Sequence, residues 1–316
     1  MKYLKVEMTV AVKDDKDVDV IKRWEHHIDC AIDMDNYPEI DHIENVTVID
    51  NHEQNKIEDN MDKKYELTKD YTITGFRVLY RIRALKDFGN VKAGDLGGFL
   101  ENEDNLSHEG KCWVSDNARV FGNARISGNA LVRGNARVVD NAKVCNNAHV
   151  SGDALVSDNT HVSGDALVSG DAWIYSSAQV SGSARVSGNA HVSGNAWISD
   201  SAQVSGYARV CGCAFISGDA RVSDGVLVSG NAKILKDANI RELSDYMTIG
   251  PMGSRNDYTT FYKTKTGEIM VSCGCFNGTI DEFIKAVNTT HKDNETYRNQ
   301  YLYAIEYIKN IKLGGK

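Results

Sequence analysis

From Val114 to Ile240 a valine or isoleucine falls at every sixth position, 22 positions in one unbroken phase. Two residues ahead of nearly every one stands alanine, from Ala118 and Ala124 to Ala238; Cys112, Thr160 and Val226 take that slot in the exceptions. Side chains alternate along a strand, so in Ala–x–Val the alanine and the valine share one face and x takes the other. The next three residues must turn a corner. The middle one is glycine in most repeats (Gly122, Gly128, Gly134, Gly152). Elsewhere it is Asp, Asn or Ser, as at Asp116, Asp140, Asn146, Asp158 and Ser176, with Lys236 the one misfit. Glycine, and to a lesser degree Asn and Asp, tolerates the positive φ that such a corner needs. Three strands and three corners close an 18-residue coil, so residues 112–240 predict a parallel β-helix of about seven coils. The two prolines, Pro38 and Pro251, both lie outside the array, as they must if every interior strand donates to its neighbours.

The flanks break this beat. Residues 2–12 alternate, with Leu4, Val6, Met8, Val10 and Val12 on one side, and predict a half-buried strand. Residues 17–33 carry Val18, Ile21, Trp24, Ile28 and Ile32 at helical spacing, and residues 44–50 read as a second strand. A β-α-β unit is therefore expected over 1–50, followed by an acidic linker at 51–70. Residues 71–111 return to strand character, turn through Gly89, Gly94, Gly97 and Gly98, and are expected to cap the first coil, since an open coil is an exposed sheet edge. Residues 241–316 predict a C-terminal α+β cap. It has strands around a hairpin at Thr266–Gly267, a helix over 280–291 opened by a Thr279/Glu282 capping box, and a last helix over 294–311. The fold class expected is mainly β.

Charge narrows the partners. The chain of 316 residues has a net charge of −8. Residues 1–70 hold 19 acids against 10 bases, while residues 111–240 hold 10 acids against 11 bases. No segment shows the basic excess of a duplex nucleic-acid binder. No apolar run approaches the length of a membrane span, and the first residues lack the apolar block of a signal peptide, so a cytoplasmic location is expected. Seven cysteines, an odd number, read as reduced thiols rather than a disulfide framework.

The array resembles the left-handed β-helix of the hexapeptide-repeat superfamily, which includes acyltransferases, γ-class carbonic anhydrases and proteins that are not enzymes. The left hand is implied by the resemblance. The strings GDLGGFLENEDNLSHEG and VSCGCFNGTIDEF resemble the ends of hexapeptide-array proteins of bacterial and phage genomes, a likeness that brings no activity with it. Enzymes of the superfamily are usually trimers packed along the shaft, which implies a homotrimer here.

The outward x residues are where chemistry could sit. Residues 18 apart should form three columns. One runs Arg119, Arg137, Leu155, Trp173, His191, Arg209, Leu227. The second runs Arg125, Lys143, His161, Gln179, Trp197, Phe215, Lys233. The third begins Trp113, Leu131, His149. Arginine and aromatics are enriched in protein contacts, so Arg137, Trp173, His191, Arg209, Trp197 and Phe215 are the candidate ligand or interface residues. Trp173, His191 and Arg209 could instead form a platform for a small anionic or nucleotide ligand. A hexapeptide acyltransferase would need an oriented histidine beside a projecting loop. The array has no insertion, and no partner acid stands near His149, His161 or His191. Those three fall on three different columns, which argues against a zinc site. His26, His27 and Cys30 make a weak metal pattern. Two Cys–Gly–Cys pairs, at 211–213 and 273–275, would supply four thiolates only if the shaft and the cap brought them together. No catalytic residue, metal or cofactor is assigned. The expectation is a non-enzymatic scaffold or binding module, with ligand sequestration and acyl transfer as alternatives.

Overall fold

The structure, a computed structural model, describes residues 9–10, 47–48, 63–311 and 313. The chain divides into two units, residues 1–63 and 64–316. In the first, strand β1 (Thr9–Val10) pairs in parallel with β2 (Thr47–Val48). The remainder of the expected β-α-β unit, with His26, His27 and Cys30, lies outside the described residues.

The second unit opens with β3 (Tyr65–Thr74), β4 (Arg77–Ala84) and β5 (Leu96–Leu100). The linker expected at 51–70 therefore ends by Tyr65. Its charges mislead because Glu66 stands between Tyr65 and Leu67 and points to the opposite side of the strand. Tyr65 is buried and Leu67 packs against the core, while Glu66 and Asp70 on the other side pair with Arg83 and Arg81. The glycines were expected to turn the chain, yet Gly97 and Gly98 lie inside β5. A Cβ on Gly97 would stand 2.6 Å from the Val114 carbonyl oxygen, and one on Gly98 would stand 2.5 Å from that of Ala118. They are glycine because the first coil presses on this strand, not because the chain turns there.

Next comes the shaft, two-residue strands β6 to β27 from Trp113–Val114 to Asn239–Ile240. They stack into three sheets, and each strand pairs in parallel with the one 18 residues on. At 22 strands the array makes a little over seven coils. The repeated alanines and the valines or isoleucines line the interior, nearly all with no accessible surface. At roughly 1.5–3 kcal/mol for each fully buried aliphatic side chain, this column is the main source of the unit's stability.

The corners hold as the sequence requires. All the corner glycines and the eight residues that replace them, Asp116 to Lys236, have positive φ. Aspartate has a further role. The Asp116 carboxylate accepts the Gly134 N–H at 2.9 Å, and the Asp158 carboxylate that of Ser176 at 2.7 Å, tying one corner to the next. Asn123, Asn141 and Asn159 continue this stacking as an amide ladder, with contacts of 3.0 and 3.1 Å.

Both ends are closed. Strand β5 joins the first wall by pairing with Arg119–Val120, and Tyr65, Ile82, Leu100 and Leu106 cover the first coil. Buried Lys64 sits beside them. Its ammonium donates to the Cys112 carbonyl at 2.9 Å and contacts the Cys112 sulfur at 3.2 Å, and burial pushes its pKa down. At the other end an antiparallel sheet of β28 (Tyr246–Met252), β29 (Asp257–Lys263), β30 (Ile269–Cys273) and β31 (Phe276–Thr279) sets Tyr262 and Met270 on the last coil. Its other face carries α1 (Ile280–Thr290) and α2 (Glu295–Ile311). The expected capping box is present, with the Thr279 hydroxyl accepting from Glu282 N–H and the Glu282 carboxylate from Thr279 N–H.

Candidate functional site

The walls place the expected columns in register. On the first, Leu155 pairs with Trp173, Trp173 with His191, and His191 with Arg209. The Trp173 and His191 rings stack at 5.1 Å and 13°. That stack runs along the ladder, so Trp173 turns its ring faces toward its neighbours above and below and its edge outward. On the second wall Trp197 meets Phe215 at 5.3 Å, and its indole N–H donates to the Ser181 hydroxyl at 3.0 Å. Trp173 keeps 44% of its surface exposed and Trp197 46%, large values for the biggest apolar side chain. The two pairs flank one corner of the prism, the edge that carries Tyr175 and Cys211–Gly212–Cys213. Four of the six sequence-assigned residues thus form one aromatic edge, and Arg209 extends its first side. Arg137 stands apart, two rungs below Trp173. There it shares a groove of about 590 Å³ with Arg119, Asp153 and Phe99.

A second feature lies at the N-terminal end of the second wall. Residues 103–108 overhang Arg125, Lys143 and His161, leaving a groove of about 510 Å³. Asn105 fixes this overhang, its amide donating to the carbonyls of Gly122 at 3.0 Å and Ala124 at 2.9 Å. The Cys145 sulfur sits 3.5 Å from His161 Nε2, and burial pushes the Cys145 thiol up. Glu103, Asp104 and His108 also line the groove. Sequence reasoning missed them because they lie before the array, in a segment read only as a cap. The capping sequence Asn102–Glu–Asp–Asn105 was the available signal.

The histidines His149, His161 and His191 fall on three different walls. Among the described residues no three His, Cys, Asp or Glu side chains converge in a metal-binding geometry. No described helix is long and apolar enough to cross a membrane.

Comparison with known proteins agrees with this geometry. The repeat family described as the YdcK β-solenoid repeat matches residues 124–140, 178–194 and 214–230, all within the shaft. The shaft is a β-solenoid of the hexapeptide-repeat superfamily. A curated relative, the uncharacterized acetyltransferase YdcK of Escherichia coli (strain K12), is 35% identical over 69 residues. That stretch is 19% of this chain and 21% of the relative, so the chain spans about a fifth of the protein it matches. In this solenoid the aromatic edge and the end groove each bring several of the repeat's variable positions together.

Proposed function

We propose that this chain is a non-enzymatic cytoplasmic scaffold whose solenoid associates laterally as a homotrimer through the edge between Trp173 and Trp197. The observation that carries this reading is the aromatic edge itself. Two half-exposed tryptophans stand on adjacent walls, each braced by a ring one rung above, with Arg209 beside them. Rigid aromatics and arginine are the residues that carry energy at protein contacts. A wall of fixed strands presents them with little ordering cost. The Trp173 and His191 ring faces are turned along the ladder, which suits packing against another wall better than stacking on a nucleotide base.

Sedimentation velocity tests it. Wild type is expected at three times the monomer mass. The Trp173→Arg/Trp197→Arg double variant is expected as a folded monomer. A wild-type monomer at tens of micromolar ends the proposal.

Acyl transfer is the second reading. It is supported by the name of the YdcK relative and by the end groove, where Arg125, Lys143 and His161 offer cations and an imidazole. Against it stands the lack of a carboxylate bonded to His161 among the described contacts, so nothing orients the ring as a general base. Calorimetry with acetyl-CoA separates the two. Measurable heat that His161→Ala abolishes favours the enzyme.

A further inference from the structure

The two Cys–Gly–Cys strings have the same sequence and opposite surroundings. Cys211–Gly212–Cys213 is a corner of the shaft. The Cys211 and Cys213 N–H groups donate to Val228 and Gly230 of the next coil at 2.9 and 2.8 Å. Gly212 has φ +71, and a Cβ there would stand 2.8 Å from the Gly230 amide nitrogen. The coils fix this corner from both sides, and among the described residues neither thiol has a side-chain hydrogen bond.

Cys273–Gly274–Cys275 is the tip of the hairpin between β30 and β31. Cys273 pairs with Phe276, and Gly274 and Cys275 form the two-residue loop. The tip overhangs a pocket of about 200 Å³ lined by Arg255, Cys273, Cys275, Phe283, His291 and Tyr301. Two glycines shape it. Gly274 has φ +60, and the Arg255 guanidinium lies where its side chain would be. Gly253 has φ +68, with the Tyr301 ring in the same relation to it, and its N–H donates to Gln300 Oε1 on α2 at 2.8 Å. Asn256 has φ +49 and its N–H closes the loop onto the Gly253 carbonyl at 3.1 Å. The loop is thereby held against α2 and aims Arg255 at the hairpin tip, with Nη2 4.0 Å from the Cys275 sulfur. The Cys273 thiol donates to the Tyr301 hydroxyl at 3.9 Å, and His291 stacks on the Tyr301 ring. Cys275 is exposed and Cys273 is half-buried behind it.

We propose that Cys273 and Cys275 are a redox-active dithiol that exchanges with a carboxylate-bearing small-molecule disulfide. The exposed Cys275 sulfur attacks one sulfur of that disulfide. An S–S bond forms to Cys275, the substrate's own S–S bond breaks, and the first small thiol leaves with the Cys275 proton. The Cys273 sulfur then attacks Cys275, forming the Cys273–Cys275 bond and releasing the second thiol with the Cys273 proton. The protein loses two electrons and two protons, and one disulfide becomes two thiols. Residues two apart in a tight turn fall within the Cα separation of about 4.4–6.8 Å that a disulfide spans. Arg255 supplies the cation for the substrate carboxylate. Tyr301 positions the resolving thiol.

The shaft pair is a built-in control. The intact protein is treated with oxidised glutathione, quenched with N-ethylmaleimide and digested with trypsin, which puts the pairs on separate peptides, residues 266–285 and 210–221. Closure at 273–275, read as loss of two hydrogens and of both alkylation sites, is expected at least tenfold faster than any oxidation at 211–213. Cys273→Ser is expected to accumulate glutathione on Cys275. Arg255→Ala is expected to slow closure by oxidised glutathione about tenfold and closure by uncharged hydroxyethyl disulfide less than twofold. A rate ratio below tenfold between the two pairs in the wild type overturns the proposal, and so does Arg255→Ala closing with oxidised glutathione at the wild-type rate.

Discussion

The shaft and the C-terminal cap both bury apolar strands, but one repeats its solution and the other does not. In the shaft each residue meets the same environment as the residue 18 positions away. Its interior is filled by alanine and valine with no room to spare, and its outer surface is three flat ladders. In the cap, β28 to β31 and the two helices each meet a different neighbour, and the mismatch leaves a half-open pocket at Arg255 and Tyr301. Repetition makes rigid walls. Irregularity in the cap makes the pocket that converges on Arg255. The end groove fits this division, since it forms where residues 103–108 leave the repeat and fold over the wall.

The largest expected effect tests how closed the shaft interior is. Val186 has no accessible surface and lies amid the alanine and valine column. Val186→Asp places an unpaired carboxylate there, and denaturant titration should show a loss of more than about 4 kcal/mol. Arg185→Ala, one residue away on the wall, should stay within about 0.5 kcal/mol. Equal costs at the two positions would erase the distinction between inside and wall.

Corner geometry gives a smaller, paired effect. Gly170 has φ +70, and a Cβ there would stand 2.9 Å from the Gly188 amide nitrogen. Gly170→Ala should destabilise by about 1–3 kcal/mol. Lys236 occupies the same kind of corner at φ +54, and Lys236→Gly should gain about 1 kcal/mol. Opposite signs at equivalent corners, read from thermal unfolding, would show that the backbone and not the side chain is selected there.

The smallest effect belongs to the cap. The Glu282 carboxyl is held below its ordinary value of 4.5, first by the Thr279 N–H and then by the Thr279 hydroxyl. A depressed folded value means that its contribution is present above 4.5 and fades as pH falls below it. Amide exchange in the first turn of α1 should therefore speed up on acidification in the wild type. In Glu282→Gln that acid-dependent step should vanish. Shaft corners where glycine stacks on glycine, as Gly170 does on Gly188, are held by backbone bonds and should show no such step.

The shaft was legible because one residue pair, Ala and Val/Ile, recurs in fixed phase and a parallel stack needs nothing else. The columns followed from the same count, which is why Trp173 and His191 could be placed together before any coordinate was known. The ends were harder. At Gly97 and Gly98 a sequence cannot distinguish a glycine that turns the chain from one crowded by a neighbouring strand. At Tyr65 and Leu67 the intervening charges hid a strand. The hairpin at Gly274–Cys275 and the overhang at 103–108 depend on contacts between segments far apart in sequence, Arg255 with Gly274 and Asn105 with Gly122, and local pattern carries no record of those.

The central claim is that the outer wall at Trp173 and Trp197 is a contact surface. Hydroxyl-radical footprinting of the intact protein in solution measures it directly. Both indoles are 44–46% exposed on the single chain, so association predicts that they are protected well below the oxidation of exposed Tyr207 and that Trp173→Arg unmasks Trp197. Oxidation of both tryptophans at the rate of half-exposed side chains, unchanged by that substitution, would contradict it.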